Sequence, residues 1–595
     1  MTTVLHRLAQ WADEAPRAPA QRYKSKGAWK TITAREYADR VYFLALFFES
    51  KGITSADCGA ILSYNCPEWV HTDLALLLAG IKSAGLYPNS TAKDISYILD
   101  LTGAAVLGVQ NKEYFQKVLG EDGHGKLSES VRLILVFDGD TSISPKAVAY
   151  KDAIAEGKKL AAKAGSKSMS DYLKKLDPTS GAFMIFTSGT TGNPKGALLS
   201  HDNLAFTSDM VAKCWNLPMS NGSMFSFLPL CHIAEKLQSI GVGLTQRYVV
   251  NFATKFDNVG AELPEAQPTL LLCVPRLWEK MMEGVLTKVS RGTGLKKHLA
   301  VWALAVGERV ATAKFSGKTP NPLDLIQLKV ADKLVLTKIR QALGLAKATL
   351  LASGAAPLPA QVSRWFRIFG LEIFECYGLT ESTGVICVTE PGVDSAGTVG
   401  KPVPGFDFKL AEDGEILTKG RNVFVAYFKD EVSTASTLQD GWLHTGDLGE
   451  WTAKGLMRIR GRKKEIMKTS GGKMIAPAPI EEKIKTDPSI SQVCMVGDNR
   501  KYISALITLS EACIADVQAK RTSKGGVVTD AALLKEVSAH IDVVNKSLAS
   551  FEQVKKFTVI DREFSIAEGE MTPTLKMKRN VIESRFKAII DQMYE

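Results

Sequence analysis

The chain has 595 residues and a formal net charge of +11, from 74 lysines and arginines against 63 aspartates and glutamates. Hydrophobic residues make up 45% and charged residues 23%, which is ordinary for a globular protein and argues against a disordered or fibrous chain. No run approaches the roughly 20 apolar residues of a membrane-spanning helix, and the length predicts several structural units with an ample core.

The charge balance and the cysteines narrow the class of partner and compartment. A positive net charge is typical of proteins with anionic ligands, and no nucleic-acid-binding motif is present, so we predict no nucleic-acid partner. The nine cysteines include no C-x-x-C pair, which predicts neither a zinc site nor a disulfide framework and suits a reducing compartment. Residues 1–6 lack a signal-peptide core and residues 593–595 are not a Ser-Lys-Leu address, so we expect a cytoplasmic protein.

The first 175 residues alternate apolar segments with helical stretches, a pattern that favours α/β layers. Residues 67–78 predict a helix that opens at Pro67. Residues 131–137 are apolar and β-branched and predict a buried strand. The Ala-, Gly- and Lys-rich residues 161–168 are interpreted as a linker.

A short loop after the apolar run 182–186 has a composition suited to a polyphosphate. Glycines let successive backbone N–H groups point into one concavity, hydroxyls add donors, and lysine adds a mobile cation. The loop is not a Walker A motif, because Pro194 precedes Lys195 and has no N–H to donate. An ordinary turn between strands is the alternative. The candidate phosphate ligands are Thr187, Ser188, Gly189, Thr190, Thr191, Gly192 and Lys195.

Two further segments carry polar groups beside glycine turns. The run from Tyr377 to Glu381 follows a predicted strand, 371–374, and a turn at 353–358. Tyr377 could stack its ring on an adenine base. Glu381 could offer a carboxylate oxygen as a ligand to Mg²⁺. The alternative is a loop whose tyrosine is merely packed. In residues 442–447, Asp447 lies after a glycine turn, at the expected end of a strand, where it could accept two ribose hydroxyls or be an ordinary turn aspartate.

The insert and the C-terminal part have a different pattern. In residues 327–344, five apolar residues recur at helical spacing (Leu328, Ala331, Val335, Ile339 and Ala342), and we favour core packing over a membrane role for them. After residue 461, predicted strands at 493–496 and 503–509 alternate with predicted helices at 479–485 and 531–548. The segments 461–473 and 572–579 are rich in lysine and arginine, and by charge alone they would be solvated loops.

These segments, in this order, resemble the motifs of the AMP-forming acyl-adenylate family of acyl-CoA synthetases, luciferases and adenylation domains. The resemblance extends over nearly the whole chain. It implies an α/β fold with a large multi-layer N-terminal adenylating domain, residues 1–461, and a small α+β C-terminal lid domain, residues 462–595, hinged near Lys464. The substrates implied are ATP with Mg²⁺, coenzyme A and a carboxylic acid.

The resemblance also implies a role for individual residues. Lys576 matches the catalytic lysine, with Thr380 and Glu381 also catalytic, and Thr191 and Glu381 beside the metal. The CoA arm would pass Ser470, Gly471 and Gly472, and His232 would stand at the acyl-pocket entrance. Beyond the loop residues, nucleotide contacts are implied for Gly354, Ala355, Glu375, Cys376, Tyr377, Gly378, Asp447, Arg462 and Lys473.

Within the family, the chain is most similar to bacterial-type long-chain fatty-acyl-CoA synthetases. Residues 229–235, 274–280 and 470–481 carry this narrower resemblance, as does a helical insert at about 280–345. The chain departs from the family pattern at Ala426, at the short loop 389–396 and at residues 84–85, which puts the shape of the pocket in doubt but not the chemistry.

The activity implied is ATP-dependent ligation of a long-chain fatty acid to CoA through an acyl-AMP intermediate. The alternatives are a fatty-acyl-AMP ligase that serves a carrier protein, a medium-chain or aryl acid–CoA ligase, and a silent relative that only binds nucleotide or lipid. Peripheral association with the inner face of the membrane is a secondary hypothesis. Chain-length preference and oligomeric state do not follow from the sequence.

Overall fold

The computed structural model describes residues 1–120, 126–187, 193–572 and 576–595. Within these residues, two large sheets, both mainly parallel, build most of the first 430 residues. The nine-stranded sheet runs, in spatial order, Lys401–Pro402, Cys387–Val388, Ile373–Tyr377, Leu350–Ser353, Leu270–Cys273, Ser223–Ser226, Val249–Phe252, Pro19–Ser25 and Ala28–Thr33. The eight-stranded sheet runs Ala426–Tyr427, Lys195–Ser200, Gly181–Thr187, Lys82–Leu86, Cys58–Leu62, Ala104–Val109, Leu133–Val136 and Ala147–Ala149.

Helices cover the two sheets, because parallel strands are apolar on both faces and need cover on each. One hydrophobic cluster joins the sheets, with Phe183 from one, Phe225 from the other and Trp69 from a helix. The helices before the insert are Val4–Glu14, Ala34–Ser50, Pro67–Leu78, Ala92–Thr102, Lys112–Leu119, Tyr150–Ala161, Met169–Leu173, His201–Cys214, Ile233–Glu235, Gly243–Gln246 and Val259–Ala266. A π-helix, Lys236–Val242, joins Ile233–Glu235 to Gly243–Gln246.

The insert is a set of helices between the strands Leu270–Cys273 and Leu350–Ser353. Its helices are Pro275–Arg291, Gly294–Phe315, Pro322–Ala331 and Thr337–Ala342, with the π-helical turn Asp332–Leu336 between the last two. The prediction of helix over 327–344 is therefore right in type, and Leu328, Val335 and Ile339 pack against the core as predicted. Ala331 lies in the core as predicted, whereas Ala342 is exposed. Gly344, with φ +77°, follows the helix end.

A smaller sheet and the lid follow. The five-stranded sheet contains Asp407–Leu410, Glu415–Lys419, Trp442–Trp451, Leu438–Gln439 and Met457–Arg462. The lid sheet contains Ile490–Val496, Ile503–Leu509, Val554–Ile560, Val527–Val528 and Ser523–Lys524, beside a hairpin of Met467–Lys468 and Met474–Ile475. The remaining helices are Ala360–Arg367, Glu431–Thr437, Pro477–Ile484, Glu511–Lys520, Ala531–Asn545, Arg579–Arg585 and Lys587–Gln592.

The mixed α/β class predicted from the sequence is confirmed. The helix Pro67–Leu78 and the strand Ile503–Leu509 have the predicted bounds. The strand predicted at 371–374 instead occupies Ile373–Tyr377, and the one predicted at 131–137 is shortened to Leu133–Val136. In the part of the chain that the structure describes, no helix has the length and apolar character needed to cross a membrane.

Candidate active site

The predicted phosphate loop connects two antiparallel strands, Gly181–Thr187 and Lys195–Ser200, with Thr187 opposite Lys195. Ser188, Gly189, Thr190, Thr191 and Gly192 lie outside the described residues. At the base of the hairpin, Lys195 Nζ donates a hydrogen bond to Ser433 Oγ at 2.5 Å and lies 3.9 Å from Asp430 Oδ2. The cation is thus tethered beside the loop by the segment that follows Tyr427.

The strand Ile373–Tyr377 and the turn after Leu350–Ser353 form the next wall. Ala355 has φ +71°, a left-handed conformation that is unfavourable for a residue with a Cβ, and such strain concentrates at functional sites. A Cβ on Gly378 would come within 2.6 Å of the Gly384 carbonyl oxygen, so only glycine fits there. Cys376 Sγ donates to the Ser353 carbonyl at 3.3 Å, and burial raises the thiol pKa to about 12, so it is no nucleophile at neutral pH.

Glu375 supports this wall from behind. Its carboxylate accepts a hydrogen bond from the Leu358 N–H at 3.2 Å. Burial raises its pKa to about 8, because desolvation penalises the charged form. The side chain of Glu375 therefore binds the protein's own turn, and only its backbone faces the neighbouring strands.

Asp447 lies where the nine-stranded and the smaller five-stranded sheets meet. Its Oδ2 accepts a hydrogen bond from the Tyr377 hydroxyl at 2.8 Å, and its Oδ1 lies 3.0 Å from Arg462 Nε. The prediction that Asp447 ends a strand is wrong. It lies inside Trp442–Trp451, paired with Arg462 on the adjacent strand, because Gly446, with φ +70°, kinks the strand without ending it.

Thr380 and Glu381 are buried in a 3₁₀ turn directly after Gly378 and Leu379. The Tyr427 hydroxyl donates a hydrogen bond to Glu381 Oε1 at 2.5 Å. Sequence reasoning missed this role of Tyr427, because the two residues are 46 positions apart and nothing in their local sequence links them. The contact fixes one oxygen of the carboxylate.

Lys576 enters the cleft from the lid. Desolvation and the charge of Arg462 lower its pKa, while Asp447 and Glu381 oppose that shift. Burial lowers the pKa of His232 to about 4, and the charge of Lys576 is the smaller cause of the same shift. The charges of Arg462, Asp447 and Glu381 therefore act on Lys576, and Lys576 acts on His232, while the Lys576 side chain itself is exposed to solvent.

A buried ion pair fixes the segment that carries this lysine. Arg579 donates to Glu481 Oε1 at 2.7 Å and to the Met495 carbonyl at 2.5 Å, which joins the Lys576 loop to the core of the lid. Lys578, the alternative to Lys576 by sequence, is the N-cap of the helix Arg579–Arg585. Sequence reasoning gave no role to Arg579, whose partners are 84 and 98 positions away.

The predicted CoA residues lie elsewhere on the lid. Ser470 donates its N–H to the Arg500 carbonyl, and the Lys473 ammonium stands 5.6 Å from the Phe551 ring centroid. Gly471 and Gly472 are exposed, and a Cβ on Gly472 would meet nothing within 4 Å. Lys473 is therefore not brought together with Asp447 and Tyr377 in this orientation. Lys464 is exposed in the 3₁₀ turn Lys463–Glu465, which connects the strand Met457–Arg462 to the hairpin strand Met467–Lys468.

His232 is the N-cap of the helical segment that starts at Ile233, and its ring nitrogen accepts the Ala234 N–H at 3.2 Å. With a pKa of about 4, the imidazole is neutral at physiological pH. Next to it, a Cβ on Gly85 would lie 2.6 Å from the Cys231 Cβ, so residue 85 is confined to glycine by close packing.

The donor set fits magnesium better than a metal held by the protein alone. The described residues contain no group of three or more His, Cys, Asp or Glu able to hold an ion. Mg²⁺ typically uses one or two carboxylates together with substrate phosphates and water. Glu381, with one oxygen held by Tyr427, is a carboxylate of the kind that could fill that role.

Comparison with known proteins agrees with this arrangement. Residues 8–428 match the AMP-binding enzyme family, and residues 464–595 match the AMP-binding enzyme C-terminal domain. The chain belongs to this family, as its motifs predicted. Long-chain-fatty-acid–CoA ligase FadD15 of Mycobacterium bovis is 32% identical, over 96% of this chain and 93% of its own length. Long-chain-fatty-acid–CoA ligase ACSBG2 of Xenopus laevis is 31% identical, over 96% of this chain and 81% of its own length.

Solved structures show the same fold. The adenylation domain of a carboxylate reductase from Mycobacterium chelonae superposes with a TM-score of 0.73 at 20% identity, over 100% of this chain and 91% of that one. The o-succinylbenzoate CoA synthetase of Bacillus subtilis, solved with ATP and magnesium ion, has a TM-score of 0.67 at 20% identity, over 96% of this chain and 98% of that one.

Proposed function

We propose that this protein is an ATP-dependent long-chain fatty acid–CoA ligase that forms an acyl-AMP and then transfers the acyl group to CoA. The relatives at about 31–32% identity over nearly the whole chain carry that activity in their names. The structural observation that carries the proposal is the cluster of Tyr377, Asp447 and Arg462, joined by contacts of 2.8 and 3.0 Å, together with the Glu381 carboxylate that the Tyr427 hydroxyl fixes at 2.5 Å.

In the first step, a carboxylate oxygen attacks the α-phosphorus of ATP and pyrophosphate leaves. Two anions must approach each other, and the Lys576 ammonium relieves their repulsion. Loss of one preorganised contact of this kind typically costs about 2.7–4 kcal/mol, or roughly 10²–10³ in rate. Thr380 supplies a hydroxyl beside the α-phosphate, and Glu381 would hold the magnesium, which would neutralise phosphate charge when bound.

The remaining nucleotide residues position the substrate. The Tyr377 ring and the 354–355 turn border the adenine, and the Asp447 carboxylate accepts the ribose hydroxyls while Arg462 orients it. The loop 187–192 and Lys195 cradle the departing phosphates. Backbone amides of such loops bind anions without needing a Walker A helix.

In the second step, the CoA thiol attacks the acyl carbon and AMP leaves. We divide the chain into an adenylating domain, residues 1–461 with the insert 280–345, and a lid, residues 462–595. Rotation about Lys464 withdraws Lys576 and brings Ser470, Gly471 and Gly472 beside the CoA channel. The exposure of Gly471 and Gly472 in the present orientation supports this movement, because their flat surface is free to face a thin pantetheine arm.

The decisive experiment separates the half-reactions. Lys576→Ala should lower acyl-AMP formation by about 10²–10³ and leave thioester formation from supplied acyl-AMP near the wild-type rate. Lys578→Ala is the matched control and should retain both. Equal loss of both half-reactions in Lys576→Ala, with its thermal midpoint unchanged, would contradict the role of this lysine.

The substrate class is tested by AMP release with CoA and straight-chain acids from acetate to oleate. Activity that peaks at long acids supports the ligase proposed here. A peak at medium-chain or aryl acids would replace the substrate class while keeping the chemistry. Pyrophosphate release without AMP release or CoA consumption would favour transfer to a carrier protein.

We further propose a cytoplasmic protein that associates peripherally with the inner face of the membrane. Long-chain acids partition into lipid, and the net charge of +11 complements an anionic surface. The oligomeric state forms no part of this proposal. Binding to vesicles that contain anionic lipid, and its reduction by salt, tests the association.

A further inference from the structure

The helical insert exposes a row of apolar side chains on one face. The members of this apolar row are spaced at i, i+3, i+7 and i+11, which places them on one side of the helix Pro322–Ala331 and its π-helical continuation. Single exposed apolar residues are ordinary, but an aligned row is not. The exposed fractions are 59% for Leu323, 62% for Ile326, 47% for Val330 and 43% for Leu334.

The other side of the same helix is held firmly by the protein. Ala331 and Leu336 are buried in the main core. Arg309 of the preceding helix donates to Asp324 at 2.8 Å and fixes the two helices to each other. The apolar row is therefore presented by a supported helix, and it cannot turn inward without breaking those contacts.

The insert is also the most basic part of the chain. Residues 280–345 contain twelve lysines and arginines against four aspartates and glutamates, a net charge of +8 out of the total +11. Lys329, Lys333 and Lys338 are exposed beside the apolar row. None of the three has an ion-pair partner among residues 1–120, 126–187, 193–572 and 576–595, whereas Asp332 is neutralised by Arg340 at 2.7 Å.

The insert is directly connected to the active-site edge of the nine-stranded sheet. It begins at Pro275, two residues after the strand Leu270–Cys273. That strand pairs with Leu350–Ser353, which leads into the turn at Gly354 and Ala355. A surface that holds the insert would therefore lie close, along the chain, to the edge where the acyl group is activated.

We propose that the apolar row and its flanking lysines dock on an anionic phospholipid surface, with the helix lying in the plane of the interface. Apolar side chains on one face and lysines around them are the features that hold interfacial helices, and each lysine near an anionic surface adds to the attraction. A second copy of the chain is disfavoured as the partner, because two surfaces of +8 repel each other. This surface rests on the membrane association proposed above.

The experiment compares four full-length proteins in a vesicle sedimentation assay. The row variant carries Leu323→Gln, Ile326→Gln, Val330→Gln and Leu334→Gln. The lysine variant carries Lys329→Gln, Lys333→Gln and Lys338→Gln. The control variant carries Met219→Gln and Val543→Gln, which are 60% and 63% exposed but lie outside the insert. Vesicles of phosphatidylcholine alone and with phosphatidylglycerol are used at low and high salt.

We expect the row variant to bind the anionic vesicles with a partition coefficient at least tenfold below wild type, since its apolar contacts with the acyl region are lost. The lysine variant should lose about tenfold or more on anionic vesicles and nothing on phosphatidylcholine. The control variant should bind like wild type. Thermal midpoints and AMP release from acid in detergent solution, unchanged in all variants, establish that the proteins are folded.

Each other outcome points to a different failure. Wild-type binding that the row variant retains would overturn the docking surface and leave membrane association standing. Absence of wild-type binding to any vesicle would overturn the association itself, while AMP release would still report the ligase activity. If the wild type is a dimer without lipid and the row variant is a monomer, a second copy of the chain covers the row, and the proposal is overturned.

Discussion

Asp447, which we propose as the acceptor of the ribose hydroxyls, is held by two residues of the protein itself. The Tyr377 hydroxyl and Arg462 Nε hold its two oxygens from two sides, at 2.8 and 3.0 Å. The charge of Asp447 also raises the pKa of Arg462. The carboxylate is therefore fixed in orientation, with lone pairs left to accept further hydrogen bonds.

We predict that Asp447→Asn raises the KM for ATP by about tenfold or more, because hydrogen bonds to a charged group contribute roughly 1.5–3 kcal/mol. Its effect on kcat should be smaller. The measurement is steady-state AMP release at varied ATP. Tyr377→Phe, which removes only one of the two hydrogen bonds to Asp447, is the comparison, and a larger loss in Tyr377→Phe than in Asp447→Asn would contradict this account.

Glu375 predicts a pH dependence of stability. Its folded-state pKa of about 8 lies above the ordinary 4.5, so the folded state favours the protonated form. The stability that depends on the protonated Glu375 carboxyl is fully present below about pH 4.5 and is lost as the pH rises through 8. Glu375→Gln should therefore be more stable than wild type between pH 6 and 9, and its thermal midpoint should be higher. The gain in the free energy of unfolding should be at most a few kcal/mol, since each pKa unit corresponds to about 1.4 kcal/mol.

The control for this prediction is the exposed Glu412, whose change to Gln should shift the midpoint equally at all pH values. Differential scanning fluorimetry across pH 5–9 provides the measurement. A Glu375→Gln midpoint that runs parallel to wild type over this range would show that burial does not shift this carboxyl.

At the scale of elements, one buried ion pair joins two helices behind the acyl side. Lys236, in the π-helical turn after His232, donates to both oxygens of Asp73 at 2.7 Å. The two side chains are 2% and 0% exposed, and the Lys236 ammonium stands 4.3 Å from the Phe183 ring centroid. The pair fixes the helix Pro67–Leu78 to the segment that carries His232.

We predict that Lys236→Met destabilises the protein by about 3–5 kcal/mol, because it removes the cation from the buried Asp73 carboxylate and leaves Ser83 Oγ, at 2.7 Å, as its donor. The double variant Lys236→Met with Asp73→Asn should recover part of that loss, since no uncompensated charge remains. Thermal midpoints of both single variants and the double variant give the test. Additive losses in the double variant would mean that the pair is not coupled.

Sequence reasoning succeeded for elements whose signal is local. Pro67 at a helix start and the β-branched run 503–509 each carry their own evidence, and the bounds agree with the structure. It failed where a distant partner decides. Tyr377 is drawn into its strand by antiparallel pairing with Cys387, the π-turn follows from packing of the insert, and the Tyr427–Glu381 contact crosses between sheets.

The same division applies to the site. Local motifs supplied the residue types at Thr380, Glu381, Asp447 and Lys576, since each chemistry demands those groups. They could not show that Glu375 binds its own protein turn or that Arg579 fixes the lysine segment, because neither contact has a signature in the adjacent sequence.

At the scale of the whole molecule, the proposed two-step reaction requires two orientations of the lid, and we propose the exposed 3₁₀ turn at Lys464 as the hinge. We predict that Lys464→Pro preserves acyl-AMP formation but lowers thioester formation by tenfold or more, because proline fixes φ near −65° and restricts the residue before it. Gly471→Leu should have the same pattern by a different cause, since its side chain would obstruct the CoA arm.

The measurement is single-turnover kinetics of each half-reaction, with acyl-AMP supplied for the second. Lys468→Ala, an exposed lysine on the nearby hairpin, is the control and should retain both steps. If Lys464→Pro lost acyl-AMP formation and kept thioester formation, the hinge assignment would be reversed.

Tyr377, Tyr427 and Asp447 belong to three different sheets. The Tyr377 hydroxyl bonds Asp447 directly, and the Tyr427 hydroxyl bonds Glu381 in the 3₁₀ turn that follows the strand of Tyr377. No single sheet, folded alone, contains a nucleotide site. Nucleotide binding therefore requires all three sheets, and it appears only after the last of them has docked. By mass action, ATP or AMP at concentrations well above its Kd would stabilise the finished assembly against every partly docked form, so a cell rich in ATP favours complete molecules of this protein over fragments during biosynthesis.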